Sequence, residues 1–247
     1  GIRGKANQYP MDGPTAFRVG QSMVPALKSE DSRVRIVIGR DTRISGHMLE
    51  GALSAGIASM GGETVSVGIL PTPAIALFTV RMKAHAGIVI SASHNPFEDN
   101  GIKVFDQNGF KLSDEQEAII ESLVLENNFS KFMPLPENLG RIEALSNGLY
   151  QYVDFLKGHF PKDFSLDGMK IVLDTANGAT SKAAPLLFEA LGVDLSVIHH
   201  YPDGTNINER CGSQHTEDLE AEVIKREADA GFAFDGDGDR LIAVDET

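Results

Sequence analysis

The α/β rhythm of this chain ends twice in the same way, and that repetition limits the folds open to it. Ala86-Gly-Ile-Val-Ile-Ser-Ala-Ser93 lies over Ala230-Gly-Phe-Ala-Phe-Asp-Gly-Asp237, each a short apolar strand delivering the chain into a polar loop. Ahead of the first, Arg35 to Ile38 reads as a buried strand. Met48, Leu49, Ala52, Leu53 and Ile57 then recur at helical spacing behind Ser45 as N-cap, and Gly61-Gly62 stop the helix. Thr64 to Ile69 returns to strand. Thr72-Pro73 reads as N-cap and first position of a helix running to Ala86-Gly87, with strand at Ile88 to Ile90. Ahead of the second, the spacing predicts strand Lys170 to Leu173, helix Ala183 to Leu191, strand Val193 to Ile198, helix Glu217 to Asp229 and strand Phe232 to Phe234. The expected fold is α/β: two related three-layer α/β/α domains with mixed, mostly parallel sheets. Any two α/β units share some of this pattern, so common descent of the two is one reading and coincidence the other. Ligands of open α/β sheets gather at the carboxyl ends of strands, which is where both polar loops sit.

Between the units, Asn127-Asn128, Pro134, Pro136, Gly140 and Asn147-Gly148 punctuate a connection with room for at most one short strand. The boundary is placed near Ser146, giving domains 1–145 and 146–247. Gly1 opens directly on Gly-Ile-Arg-Gly without an initiator methionine, and Thr247 follows directly on an expected strand. The chain is therefore expected to be part of a longer protein.

Asp235-Gly-Asp-Gly-Asp-Arg240 carries the sharpest chemical signal. Carboxylates at i, i+2 and i+4, separated by glycines that let the backbone curl, can converge on one hard cation. A solvated acidic turn is the bland alternative, but three aspartates between two apolar runs are rare in one. An EF-hand is excluded, because its sixth position must be glycine and is Arg240, and because the flanks read as strands. Arg240, an obligate cation beside the cluster, suits an anion held against the metal.

The other loop, Ser91-Ala-Ser-His-Asn-Pro96 followed by Asp99-Asn-Gly-Ile-Lys103, puts a hydroxyl, an imidazole, an amide and a lysine after a buried strand. Serine needs a base, a metal or an oriented phosphate to act as a nucleophile. Alone, this composition fits an ordinary turn equally well. A conventional Ser-His-Asp triad is possible in composition but the Gly-x-Ser-x-Gly elbow is absent, and without any Walker or dinucleotide-binding glycine pattern nucleotide binding lacks support. Arg3, Arg40 and Arg43 are further cations near glycines, each weak singly. His199-His200 has no partner at ligand spacing and reads as a loop feature. Tyr201-Pro-Asp-Gly-Thr-Asn-Ile-Asn208 reads as turn chemistry whose asparagines could order the domain interface.

The net charge of −13 argues against nucleic acid and anionic membrane as partners, and the longest apolar stretch, Gly68 to Val80, is broken by two prolines. A single cysteine, Cys211, permits no intramolecular disulfide, shows no metal-ligand spacing and fits a reducing cytoplasm.

Gly-Ile-Arg-Gly, Ser-Ala-Ser-His-Asn-Pro-Phe-x-Asp-Asn-Gly-Ile-Lys and Asp-Gly-Asp-Gly-Asp-Arg, in this order, resemble the α-D-phosphohexomutases. Asp41-Thr-Arg-Ile-Ser-Gly46 and Pro202-Asp-Gly-x-Asn-Ile-Asn208 match the bacterial branch that acts on glucosamine phosphates, whereas the mannose/glucose-phosphate branch more often has glycine at Ala92 and lacks Phe97. The resemblance implies a four-domain enzyme of which this chain is the first two domains. It implies that Ser93 carries a phosphoryl group and, with Asp235, Asp237 and Asp239, binds Mg²⁺. Lys103 would be the general acid or base, and His94, Arg240 and Arg3 would flank the phosphoserine. The implied reaction interconverts glucosamine 6-phosphate and glucosamine 1-phosphate through a 1,6-bisphosphate, which also serves as activator, and feeds UDP-N-acetylglucosamine synthesis. A phosphosugar is the implied partner, and the resemblance leaves room for a homodimer of the full-length protein. Alternatives are a mutase of the mannose/glucose branch, a non-catalytic divalent-cation-binding module and a metal-assisted phosphatase.

Overall fold

The computed structural model describes residues 1–28 and 33–245. The last two residues of the expected second domain lie outside them. In chain order the elements are β1 (Ile2–Lys5), α1 (Gly13–Leu27), β2 (Arg35–Arg40), α2 (Ser45–Ser59), β3 (Glu63–Ile69), α3 (Thr72–Arg81), β4 (Ala86–Ile90), β5 (Asp99–Asp106), α4 (Asp114–Glu126), β6 (Ile142–Ala144) and α5 (Gly148–His159). They continue as β7 (Lys170–Asp174), α6 (Thr180–Ala190), β8 (Asp194–Ile198), α7 (Glu217–Arg226), β9 (Ala230–Phe234) and β10 (Leu241–Val244), with short 3₁₀ turns between some of them.

Two sheets result, ordered β1-β5-β4-β2-β3-β6 and β10-β9-β7-β8. The run β5-β4-β2-β3 repeats as β10-β9-β7-β8, with parallel central pairs and one antiparallel strand beside β4 and beside β9. Both strands of the overlaid segments start opposite the same kind of neighbour, Ala86 against Ile36 and Ala230 against Ile171. The expected duplication is thus present in strand order and direction.

Strands covered on both faces need continuous apolar runs, and alternate side chains then feed different cores. Ile36, Ile38, Ile88 and Ile90 join the core under α1 and α2, while Val37 and Val89 join the one formed with α3 and α5. In the second sheet Val172 and Ala233 meet Leu219 and Val223 of α7, and Ile171 and Leu173 meet Ala184 of α6. Helices α1 and α2 cross closely: a Cβ on Gly56 would sit 2.1 Å from the Phe17 carbonyl oxygen, so backbone contact there requires glycine.

Several boundaries differ from the sequence reading. Helix α3 stops at Arg81, because Ala86 and Gly87 are claimed by pairing with β2. Ser45 and Thr72 are first helical residues, with Ile44 and Pro71 in the cap positions. Helix α6 starts three residues early, at Thr180. Helix α7 ends at Arg226, where Glu227 turns left-handed at φ 51°. Asp99 to Lys103 belongs to strand β5 and not to a loop, since β4 pairs with it antiparallel. Helices α1, α4 and α5 and strand β1 are additions; α4 opens on a reciprocal cap between Ser113 and Gln116.

Candidate active site

The polar loops after β4 and β9 face each other across the cleft between the sheets. Ser93, 2% exposed, donates its hydroxyl to Asp235 Oδ2 at 2.6 Å. Its backbone is left-handed (φ 54°), a conformation that costs a non-glycine residue about 1–2 kcal/mol and must be held by its surroundings.

A buried scaffold holds it. Asp41, just beyond β2, accepts from Ser91 Oγ at 2.6 Å and from Arg43 Nε at 2.9 Å, and Ser91 Oγ accepts the Ser93 amide at 2.9 Å. Arg43 is fully buried, and its guanidinium donates to the carbonyls of Ser93 (3.0 Å), Asn95 (2.7 Å), Asp99 (3.0 Å) and Pro96. The serine loop therefore turns its carbonyls toward a permanent cation. Close approach of the second loop depends on Gly236, where a Cβ would lie 2.6 Å from the Ser93 carbonyl oxygen.

Asp235, Asp237 and Asp239 offer carboxylate oxygens that all lie within 4.8 Å of one another. The curl is fixed by Asp235 Oδ1, which accepts the amides of Asp239 (3.1 Å) and Arg240 (3.2 Å). Thr72, opening α3, grips Asp237 twice: its amide donates to the Asp237 carbonyl (2.8 Å) and its hydroxyl to Oδ2 (2.7 Å). Lys103 Nζ also donates to Asp237 Oδ2 at 2.7 Å and lies 3.6 Å from Asp239. The other oxygen of Asp237, Oδ1, is buried without a partner among the described residues.

Charges in this cluster are set against one another. Burial pushes Asp235 up to about 6, and the neighbouring carboxylates push the same way against the Ser93 hydrogen bond. Burial also works against Asp237, but the Lys103 charge and hydrogen bond, with Thr72, outweigh it and hold that carboxyl below its ordinary value. His94 is lowered by burial and by the Arg240 and Arg3 charges. Arg240 Nη1 lies 2.9 Å from His94 Nδ1; a guanidinium only donates, so Nδ1 accepts and the neutral ring carries its proton on Nε2. Arg3 is exposed on β1 and acts on His94 through its charge.

Residues 1–131 match the phosphoglucomutase/phosphomannomutase alpha/beta/alpha domain I, and residues 150–247 match domain II of the same family. The chain belongs to the phosphoglucomutase/phosphomannomutase family. It is 60% identical over 246 residues to phosphoglucosamine mutase from Syntrophobacter fumaroxidans and 52% identical to that from Syntrophus aciditrophicus. Both alignments cover 100% of this chain and 55% of the relative, so the chain spans about half the length of the curated relatives it matches. A crystal structure of a phosphoglucomutase/phosphomannomutase family protein from Burkholderia thailandensis superposes with a TM-score of 0.84 at 29% identity, covering 99% of this chain and 53% of that one.

Within this phosphohexomutase cleft, the sequence-predicted Ser93, His94, Lys103, Asp235, Asp237, Asp239 and Arg240 come together; only Arg3 stands back, linked by charge. Two readings need correction. His199 does have partners: Nδ1 lies 3.0 Å from Asp174 and Nε2 3.2 Å from Asp218. Cys211, without metal spacing in the sequence, offers its sulfur within 4.8 Å of ligand atoms on Asp174 and His199. Asp174 accepts the amides of Ala176 and Gly212 and faces His199 Nδ1, and burial pushes the Cys211 thiol up to about 12, away from the thiolate a metal would need, so this trio reads as a structural latch. The sequence reading missed Thr72 as a partner of Asp237 and left Arg43 undistinguished from surface arginines. Its position two residues after the carboxylate closing an apolar strand was the available signal.

Proposed function

We propose that this chain carries the phosphoryl-transfer half of a phosphosugar mutase that interconverts glucosamine 6-phosphate and glucosamine 1-phosphate. The observation that carries this reading is the 2.6 Å hydrogen bond from Ser93 Oγ to Asp235, which joins a single hydroxyl to a three-carboxylate loop on the other sheet. Whole-chain identity to phosphoglucosamine mutases supports the amino-sugar branch. The proposed domains are 1–145, bearing Ser93, and 146–247, bearing the aspartates.

A divalent cation fits the residues present. The donors are hard oxygens, Asp237 Oδ1 has no partner among the described residues, Asp235 is held ionised only with difficulty, and Lys103 already offsets part of the charge. Asp235, Asp237, Asp239 and an oxygen on Ser93 would hold Mg²⁺, which would offset negative charge on the transferring phosphoryl group.

The chain's own residues do the rest. Ser93 Oγ bears the phosphoryl group. In the first transfer the bond from Ser93 Oγ to phosphorus breaks and a bond from a sugar hydroxyl oxygen forms; the Lys103 ammonium gives a proton to the freed Ser93 Oγ and is restored by the proton of the sugar hydroxyl. The resulting 1,6-bisphosphate reorients, returns its other phosphoryl group to Ser93, and takes a proton back at the freed oxygen. Arg240, His94 through Nε2–H, and Arg3 face the phosphoryl oxygens with positive charge or a donor. A sugar 1,6-bisphosphate primes Ser93, and the proposed setting is cytoplasmic. Among the described residues no helix is long and apolar enough to cross a membrane.

The test is kcat/KM of the full-length protein, with Mg²⁺ and a trace of sugar 1,6-bisphosphate, on glucosamine, mannose and glucose 6-phosphates. A preference for the amino sugar is expected, with Ser93→Ala lowering turnover on the order of 10⁴-fold or more, as for nucleophile deletions generally. Preference for mannose or glucose phosphates moves the protein to the neighbouring branch. Net phosphate release indicates a phosphatase, and an active alanine variant ends the reading.

A further inference from the structure

The serine loop is held from two sides, and only one of them belongs to its own sheet. Beneath it lies Arg43; across the cleft lies Asn208, whose side-chain amide donates to the Ser93 carbonyl at 2.9 Å and to the Asn95 carbonyl at 3.0 Å. Asn208 ends the Pro202-Asp-Gly-Thr-Asn-Ile-Asn segment after β8 and is anchored by its own amide to the Ala176 carbonyl at 2.9 Å. The same segment touches the chain after β2, where the Ile44 amide donates to the Gly204 carbonyl at 2.9 Å, and the neighbouring turn after β7 accepts Thr42 Oγ1 at the Asn177 carbonyl at 2.6 Å.

We infer that Asn208 is a positioning residue for Ser93, transmitting the placement of the second sheet to the nucleophile. This rests on the phosphoserine reading above. The Ser93 carbonyl accepts from Arg43 Nη2 and Asn208 Nδ2 together, and those two bonds fix the Ser93–His94 peptide, while Ser91 Oγ holds the Ser93 amide on the other side; the left-handed residue between them (φ 54°) is thus clamped at both peptides with its Oγ aimed at Asp235. Arg43 travels with the first sheet, so it orients the loop without telling it where the aspartates are. Asn208 supplies that alignment, because its backbone is tied to Ala176 in the crest that follows β7. Its own backbone is also left-handed (φ 58°), which asparagine tolerates better than most residues and glycine best of all.

That backbone separates positioning from mere fold support. Asn208→Gly keeps the left-handed conformation and deletes only the amide; Asn208→Asp keeps shape and sets a carboxylate against two carbonyls. In the full-length protein, kcat and the rate of Ser93 phosphorylation by sugar 1,6-bisphosphate should both fall about 10- to 100-fold in Asn208→Gly, with KM for the sugar phosphate nearly unchanged, and further in Asn208→Asp. Amide exchange at Ser93 and Asn95 should quicken in both variants while that of β7 and β9 holds. A glycine variant with undiminished kcat would show that the residue serves only its turn and would overturn the inference. Should the wild-type protein turn over no phosphosugar, the functional reading fails on its own; unchanged exchange at Ser93 and Asn95 in the glycine variant would then dismiss the positioning role as well, and quickened exchange would uphold it.

Discussion

After β4 the chain is stapled from beneath by a buried, permanent cation, whereas after β9 it curls around three carboxylates that repel one another. The two loops hold the same place in equivalent strand orders, yet they treat charge in opposite ways. Arg43 takes up four carbonyls and the Asp41 carboxylate, so the serine loop is finished without any ligand. The aspartate loop is left with an orphan oxygen on Asp237 and with Asp235 pushed up to about 6. A nucleophile gains from being fixed before the substrate arrives. A cation site gains from unfavourable charge that binding relieves. The lesson is that one topological position can be built for rigidity in one unit and for a latent charge deficit in the next.

Removing the staple should have the largest effect on stability. Burial already pushes the Asp41 carboxyl up, so Arg43→Met leaves it buried without the cation that opposes this and drives it to take up a proton, while four carbonyls lose their donor; breaking such a buried pair costs about 3–5 kcal/mol, and about 2–4 °C of Tm accompanies each kcal/mol in a protein of this size. Arg43→Lys should recover only part of this, since an ammonium cannot serve the four carbonyls that the planar fork reaches. Thermal melting checks both. A Met variant melting within about 2 °C of wild type would mean that the serine loop is not built on Arg43 at all.

The opposite behaviour is expected of the second loop. With its pKa raised from 3.8 to about 6, Asp235 contributes stability that is complete below the lower value and is lost as pH rises through the higher one. At neutral pH without metal it is therefore a burden. Asp235→Asn should raise the melting temperature of the metal-free protein there by about 2–4 °C, roughly 1 kcal/mol, and the gain should shrink as pH falls through about 6. Wild type should be stabilised by Mg²⁺, by about 2.7 kcal/mol at a hundredfold excess over Kd, and the variant far less. A metal-free Asn variant less stable than wild type at neutral pH would remove the contrast between the loops.

Much of this contrast was legible in the sequence, for physical reasons that stop at identifiable residues. Asp-Gly-Asp-Gly-Asp is local, so its convergence followed from spacing alone, and the apolar runs Ile36 to Ile38 and Ile88 to Ile90 announced strands covered on both faces. Ser93 was visible as a residue, but its aim at Asp235 joins positions 142 apart, which periodicity does not carry. Arg43 looked like any arginine because burial is a property of the packed state. Lys103 was placed on a loop because Asp99-Asn-Gly has turn composition, and only pairing with β4 makes it a strand. His199 seemed unpartnered because Asp174 and Asp218 approach it from β7 and α7.

His199 extends the comparison to the central strands. Each unit ends its central strand near a buried carboxylate, Asp41 beyond β2 and Asp174 at the end of β7. The first is paired with arginine, which stays charged at all working pH, and the second with a histidine that does not. The groups facing His199 are Asp174 on β7, Asp218 on α7 and the neutral thiol of Cys211. The Asp174 hydrogen bond and charge, helped by Asp218, raise its pKa above 6.5 despite partial burial. Its stabilising contribution is thus complete below about 6.5 and is lost as pH climbs through the raised value. His199→Gln should therefore cost no more than about 1 kcal/mol in mildly acid solution and progressively less in alkaline solution. Urea unfolding of wild type and variant across that range checks the sign. A gap that widened with pH would mean that the neutral ring is the better partner for Asp174, and the two crests would then differ in more than the permanence of their cation.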